Sequence, residues 1–283
     1  MADVETARPY ADHEARALRV REQVIKMAEG DGCYVGAALS CVELLVWLYT
    51  SVLRVSPDAP GDPDRDYLFL SKGHAAPALY ATLVEAGFVD AAKLGSMLST
   101  GEALAWQTSR AVPGVEQGGT RGHLLAVAVG VAVDLSLRGS KARVFVVVGD
   151  GELAEGVVWE SLLLARARGL DNLVIVVDRN EMQANRRTED LVPLEPLASK
   201  LEAFGAAVVR ADGHGFAALA AATRTLPVAV GKVSVIIADT VRGKGVPSIE
   251  RRIERWFCAL SAAEARAMVT ELRTTATSVG GRS

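Results

Sequence analysis

Two short runs carry residue types that could hold a phosphorylated ligand. Gly149-Asp150-Gly151 follows the apolar run Arg143-Val-Phe-Val-Val-Val148, and Asp178-Arg179-Asn180-Glu181-Met182 follows a second one, Leu173-Val-Ile-Val-Val177. A carboxylate and an amide oxygen are hard donors of the kind magnesium takes, and magnesium usually completes its octahedron with phosphate oxygens and water. The glycines beside the Asp would let the backbone approach a diphosphate closely. Together the runs suggest a metal-bridged diphosphate site, provided the fold brings them together. A lone Gly-Asp-Gly after a strand would otherwise be an ordinary tight turn.

The intervening residues meet that condition. Residues 155–168 place Val158, Leu162 and Ala165 at helical spacing between the two β-branched runs, which makes a strand-helix-strand crossover. A right-handed crossover sets both strand ends at one edge of the sheet, and open α/β sheets bind ligands at that carboxyl edge.

Alternation continues on both sides. Residues 11–29 read as a helix, and Ser40-Cys-Val-Glu43 reads as a capping box opening a second helix through about Leu53. Residues 57–65 are a loop, 67–70 a strand, and 75–86 a helix ended by Gly87. Residues 100–122, with Gly114, Gly118, Gly119 and Gly122, read as a long loop, and such loops are often functional. Residues 124–137 form a helix whose all-round hydrophobicity places it in the core. Strands at 207–209 and 233–238 flank a helix at 216–225, a charged terminal helix ends near Arg273, and residues 278–283 are expected to fray. The fold class is α/β with a mostly parallel sheet. The whole chain, 1–283, is expected to be one domain with an irregular C-terminal extension from about 243.

Composition narrows the function. A chain of 283 residues with 50% hydrophobic content can bury a large core, and 31 Lys+Arg against 34 Asp+Glu leaves no basic footprint for nucleic acid. Cys33, Cys41 and Cys258 are odd in number and lack C-x-x-C spacing, which argues against a disulfide framework and a structural zinc site. The first ten residues lack the apolar core of a secretory signal, and the apolar stretch 124–133 is too short to span a bilayer. A soluble, cytoplasmic protein is expected.

The run from Gly149 to Gln183, GDGELAEGVVWESLLLARARGLDNLVIVVDRNEMQ, resembles the thiamine-diphosphate motif in the form used by transketolases. The resemblance implies a thiamine-diphosphate-binding fold with helices on both faces of the sheet, and thiamine diphosphate and Mg2+ as cofactors. By position, it makes Asp150 and Asn180 side-chain metal ligands and Met182 a ligand through its carbonyl. It sets Gly149, Gly151 and Glu152 against the cofactor. Glu155 and Glu160 match glutamates linked to communication between paired active sites. Leu70-Ser-Lys-Gly-His74 resembles the segment whose histidine contacts the diphosphate, which makes His74 a candidate catalytic and cofactor-binding residue; a helix-capping histidine is the plainer reading. Pro113-Gly-Val-Glu116 and the glycines after it resemble the loop that closes over the cofactor, with Gly119 a backbone contact. Ala203-Phe-Gly205, Asp212-Gly-His214 and Thr240-Val-Arg-Gly-Lys-Gly245 are similar to later landmarks, and structural roles are assigned to them.

Three positions depart from the family. Tyr34, Trp106 and Phe257 stand where transketolases carry substrate-binding histidines, and Arg121 and His123 lie at unusual places in a shortened loop. Exchanging imidazoles for aromatic rings weakens recognition of hydroxyls and favours a smaller or less polar group. Drift in a weakened copy would give the same pattern. Thiamine chemistry also needs a carboxylate on the aminopyrimidine ring, which the family keeps in a following pyrimidine-binding domain. The expectation is therefore a split enzyme: two of these chains with two partner chains, transferring a two-carbon unit from a donor to a free or carrier-bound acceptor. The alternatives are a decarboxylating transfer from a 2-oxo acid and a non-catalytic, regulatory role for the chain.

Overall fold

The computed structural model describes residues 9–96, 115–117 and 121–280. Its strands are β1 (Tyr67–Leu70), β2 (Val115–Gln117), β3 (Val144–Gly149), β4 (Leu173–Arg179), the short hairpin β5 (Met182–Gln183) and β6 (Arg186–Arg187), then β7 (Ala207–Asp212) and β8 (Ser234–Asp239). Six of them form one sheet in the order β2-β1-β3-β4-β8-β7, with each neighbouring pair parallel. The helices are α1 (Ala11–Met27), α2 (Val35–Ser40), α3 (Val42–Trp47), α4 (Ala76–Glu85), α5 (His123–Leu137), α6 (Gly156–Arg168), α7 (Thr188–Leu191), α8 (Leu197–Ala203), α9 (Phe216–Thr223) and α10 (Ala262–Gly280).

The central strands are continuous apolar runs because both faces are covered. Phe145, Val147, Val174, Val176 and Ile236 point into a layer shared with α1 to α4, α9 and α10. Their neighbours Val144, Val146, Ile175, Val177, Val235 and Ile237 point the other way, toward α5, α6 and α8. The period-2 alternation of each strand thus feeds two cores at once. Helices lie on both faces of a parallel sheet, as expected for the fold class.

Several expectations are corrected. Ser40-Cys-Val-Glu43 is not a capping box: the helical path already begins at Val35, and Cys41 interrupts it with φ −108° and ψ 16°. Both side chains are drawn to distant partners instead, Ser40 Oγ to Asp178 at 2.6 Å and Glu43 to the Arg21 guanidinium at 2.7 Å. Helix α5 is not enclosed, since Val127 is 51% and Leu137 80% exposed, next to Leu163 and Leu164 of α6 at 57% and 47%. Hydrophobicity placed the whole helix inside, but a single sheet layer covers only one of its faces. Within the segment read as a loop, Val115–Gln117 is an edge strand paired with β1; residues 97–114 and 118–120 lie outside the described residues. Helix α10 runs past Arg273 to Gly280, and Glu155 caps α6 from outside rather than belonging to it.

Candidate active site

The two chemically suggestive loops meet. Gly149 and Asp178 are direct partners in the β3–β4 register, so Asp150 and Asn180 leave adjacent strands at the same level. They line a cavity of about 290 Å³, together with His74, Gly149, Gly151, Glu152 and Met182.

Asp150 is 1% exposed. Its Oδ2 accepts from the Thr188 hydroxyl at 3.3 Å and lies 3.3 Å from the Arg179 guanidinium. Its Oδ1 is buried without a hydrogen-bond partner. Burial pushes the carboxyl up to about 7, against the opposing pull of Arg179. A buried carboxylate oxygen that no protein donor serves is costly unless a cation takes it. Asn180 Oδ1 accepts the Met182 N–H at 3.1 Å, which sets the amide and the hairpin after it. An amide oxygen has a second lone pair, so this contact leaves it able to bind a cation. The Asp150 carboxylate and the Asn180 amide oxygen are therefore of the donor types that suit a hard divalent ion.

Gly151 lets the hairpin side chain lie close: a Cβ there would sit 2.9 Å from Gln183 Cγ, so any other residue would displace the Gln183 side chain. Glu152 lines the cavity but is saturated by protein donors, the Ser71 hydroxyl and the Gly122 and Gly149 N–H groups at 2.9 and 2.8 Å. It braces the end of β3 against the start of α5, and burial raises its carboxyl.

Behind the metal-type ligands stands a hub that the sequence reading left unassigned. Asp178, fully buried, receives the Lys72 ammonium, Ser40 Oγ, the Asn180 amide at 3.1 Å and the Thr240 hydroxyl. Burial would raise this carboxyl, but the Lys72 charge and the hydrogen bonds outweigh it and hold it low. An Asp ending a wholly apolar strand and a Lys ending its near neighbour were the available signals. Thr240 and Arg242 likewise do more than shape a turn. Arg242 is 3% exposed, with Nη1 donating to the Ala184 carbonyl while Nε and Nη2 are buried without partners. Burial pulls its guanidinium down to about 10, and unpaired donors on a cavity wall suit a phosphate.

His74 is neutral, because burial and then the charges of Lys72, Arg121 and Arg242 push it down to about 4. Its ring packs edge-on against Tyr34 at 4.4 Å, and Tyr34 also meets Trp256 and Phe257 at 5.0 and 5.1 Å. Tyr34 and Phe257 thus belong to one aromatic cluster lining the cavity. Arg121 lines it too, whereas His123 turns back toward the Arg121 carbonyl. Trp106 and Gly119 lie outside the described residues. Glu155 is half-buried at the start of α6 and Glu160 exposed on it, and neither lines the cavity.

A family model described as "Transketolase, thiamine diphosphate binding domain" matches residues 12–277. The chain belongs to this transketolase family. Among its relatives, the 6-deoxy-6-sulfo-D-fructose transketolase subunit SqwG of a Clostridium species is 34% identical over 264 residues, 92% of this chain and 95% of that protein. One of the subunits of apulose-4-phosphate transketolase from Actinobacillus succinogenes is 37% identical, with 86% and 88% covered. Transketolase from Leishmania mexicana shares the fold, with a TM-score of 0.83 over 94% of this chain and 41% of that one, at 23% identity. This transketolase-family chain thus carries the diphosphate-binding unit of a thiamine-diphosphate enzyme that transfers ketol-type groups. Among the described residues no helix is long and apolar enough to cross a membrane.

Proposed function

We propose that this chain is the magnesium- and diphosphate-binding subunit of a two-chain transketolase-like enzyme that passes a two-carbon unit from a donor to an acceptor. The observation that carries it is the buried, unserved Oδ1 of Asp150, a residue that lines the cavity together with Asn180 and Met182. In this reading Asp150, Asn180 and the Met182 carbonyl take Mg2+, and the glycine backbone, His74 and Arg242 receive the diphosphate. Thiamine diphosphate, when bound, supplies the nucleophilic carbon for covalent transfer. The chain's own contribution is positioning, charge neutralisation and exclusion of water by the aromatic cluster.

A partner subunit, expected to supply the carboxylate for the aminopyrimidine, fits two observations. Two of the relatives that this chain matches almost end to end are named as subunits. The apolar faces of α5 and α6 are also uncovered in the single chain, as a contact surface would be. A cytoplasmic pair of two copies of each chain is the assembly proposed. The names of those relatives favour a ketose bearing a phosphate or sulfonate as donor. A 2-oxo acid that loses carbon dioxide is favoured by a different observation, the ring cluster around Trp256 in which Tyr34 and Phe257 stand where the family resemblance would have hydroxyl-gripping imidazoles.

Calorimetric titration of the co-purified pair with thiamine diphosphate tests the first part. Binding should require Mg2+ and be lost in Asp150→Ala; undiminished binding by that variant would refute the metal assignment. Labelled xylulose 5-phosphate and labelled pyruvate then separate the donors, since only the second releases carbon dioxide. Failure of the intact pair to bind cofactor would leave a regulatory role.

A further inference from the structure

We propose that Arg179 is a positioning residue for Asp150, holding Oδ2 from behind so that Oδ1 is presented to the cavity. This rests on the metal-binding reading above and extends it to a residue outside the ligand set.

Arg179 ends β4 and is 1% exposed, yet it is a full cation. Its Nη1 lies 3.3 Å from Asp150 Oδ2 as an ion-pair contact that is not a hydrogen bond, and its Nη2 donates to Glu189 at 2.6 Å and Glu195 at 3.3 Å. The contacts of Nη2 and Nε to Glu189 and Glu195 restrain the planar guanidinium, which sets the direction in which its Nη1 edge faces Asp150. Thr188 adds a second hold on the same oxygen at 3.3 Å, and α7 carries both Thr188 and Glu189. The carboxylate therefore has one oxygen held by the Thr188 hydroxyl and faced by the Arg179 charge, and one oxygen bare. Replacing side chains that orient a ligand in this way typically costs about 10–100-fold in metal affinity.

Charge explains why a cation can stand next to a site meant for another cation. Arg179 is shared with Glu189 and Glu195, and Glu195 is in turn paired with Arg210, which also holds Asp239. With Asp150, that makes four carboxylates against two guanidinium groups, so the network is acidic on balance, although Glu189, Glu195, Asp239 and Arg210 are partly open to solvent. The acids on α7 and on the turn before α8 thus keep Arg179 from repelling the metal, while its charge still faces Oδ2.

The test uses the full chain with its co-expressed partner, titrating Mg2+ at saturating thiamine diphosphate and following bound cofactor by calorimetry. Arg179→Met should raise the Mg2+ concentration for half-saturation about tenfold or more, with binding regained at high Mg2+. Arg179→Lys keeps the charge but cannot span three carboxylates, so it should give a smaller shift of the same sign. Thermal melting without Mg2+ or cofactor separates positioning from mere stability. A variant that melts earlier but keeps the wild-type Mg2+ dependence overturns the proposal, and so does an unshifted Mg2+ dependence in both variants. Should the wild-type pair bind cofactor equally well without Mg2+, the metal reading itself falls, a result told apart because it appears before any substitution is made.

Discussion

Ser40 Oγ lies 2.6 Å from Asp178 Oδ2, which joins the end of α2 to the end of β4 directly behind the site ligands. The Lys72 ammonium contacts both of these side chains. Asp178 also accepts from the Asn180 amide at 3.1 Å, so the loop that carries Asn180 is anchored by buried polar contacts rather than by apolar packing alone.

Removing the cation from this hub should be costly. Lys72→Met leaves Asp178 buried without a positive partner, and we expect a loss of about 3–5 kcal/mol in urea unfolding. The double variant Lys72→Met/Asp178→Asn should recover part of that loss, because the unpaired charge is then gone. Equal instability of single and double variants would mean that the pair is not what holds the loops.

Glu43 gives a pH-dependent term. Burial would raise its carboxyl, but Arg21 and the His214 contact hold it at about 2. A carboxylate with a depressed folded pKa stabilises above its ordinary range and loses that contribution as pH falls through the folded value. Between about pH 4.5 and pH 2 the wild type should therefore lose stability that Glu43→Gln never had. At neutral pH this variant should be about 3 kcal/mol less stable, with Arg21 left unpaired. Parallel acid-unfolding curves for the two proteins would count against the assignment.

His74 acts in a higher pH window. Its folded value of about 4 lies below the ordinary value of 6.5, so the unfolded chain binds more protons between the two. Stability from this residue is present above pH 6.5 and declines as pH falls toward 4. Ring resonances in the ligand-free chain should show no protonation at pH 5.5. A midpoint near 6.5 would place His74 in solvent, not between Tyr34 and Trp256.

The aromatic cluster should set donor preference. Restoring imidazoles with Tyr34→His and Phe257→His returns hydrogen-bonding groups to the cavity. It should raise kcat/KM for a polyhydroxylated ketose phosphate by about tenfold or more relative to pyruvate, measured on the reconstituted pair. An unchanged ratio would show that these rings do not read the donor.

Much of the fold was legible from periodicity. The buried runs at 144–148 and 173–177 could hardly be anything but covered parallel strands, and the helix between them dictated their adjacency. The positions of the candidate ligands followed, because Asp150 and Asn180 come just after the paired residues Gly149 and Asp178. The S-x-x-E pattern at Ser40 misled for a physical reason: a cap uses near neighbours, and here partners 138 and 22 residues away won. The turn glycines around Arg242 likewise hid a side chain whose role depends on what faces it.

What the sequence settled by itself was therefore local: which segments are strands or helices, and which residue types end them, since period and turn chemistry act over a few neighbours. Tertiary structure alone decided that Lys72, Ser40 and Thr240 converge on Asp178, that the Arg179 guanidinium faces one oxygen of Asp150, and that one face of α5 stays uncovered in the single chain. Those outcomes depend on distances between segments far apart in the chain, and only the packed sheet sets them.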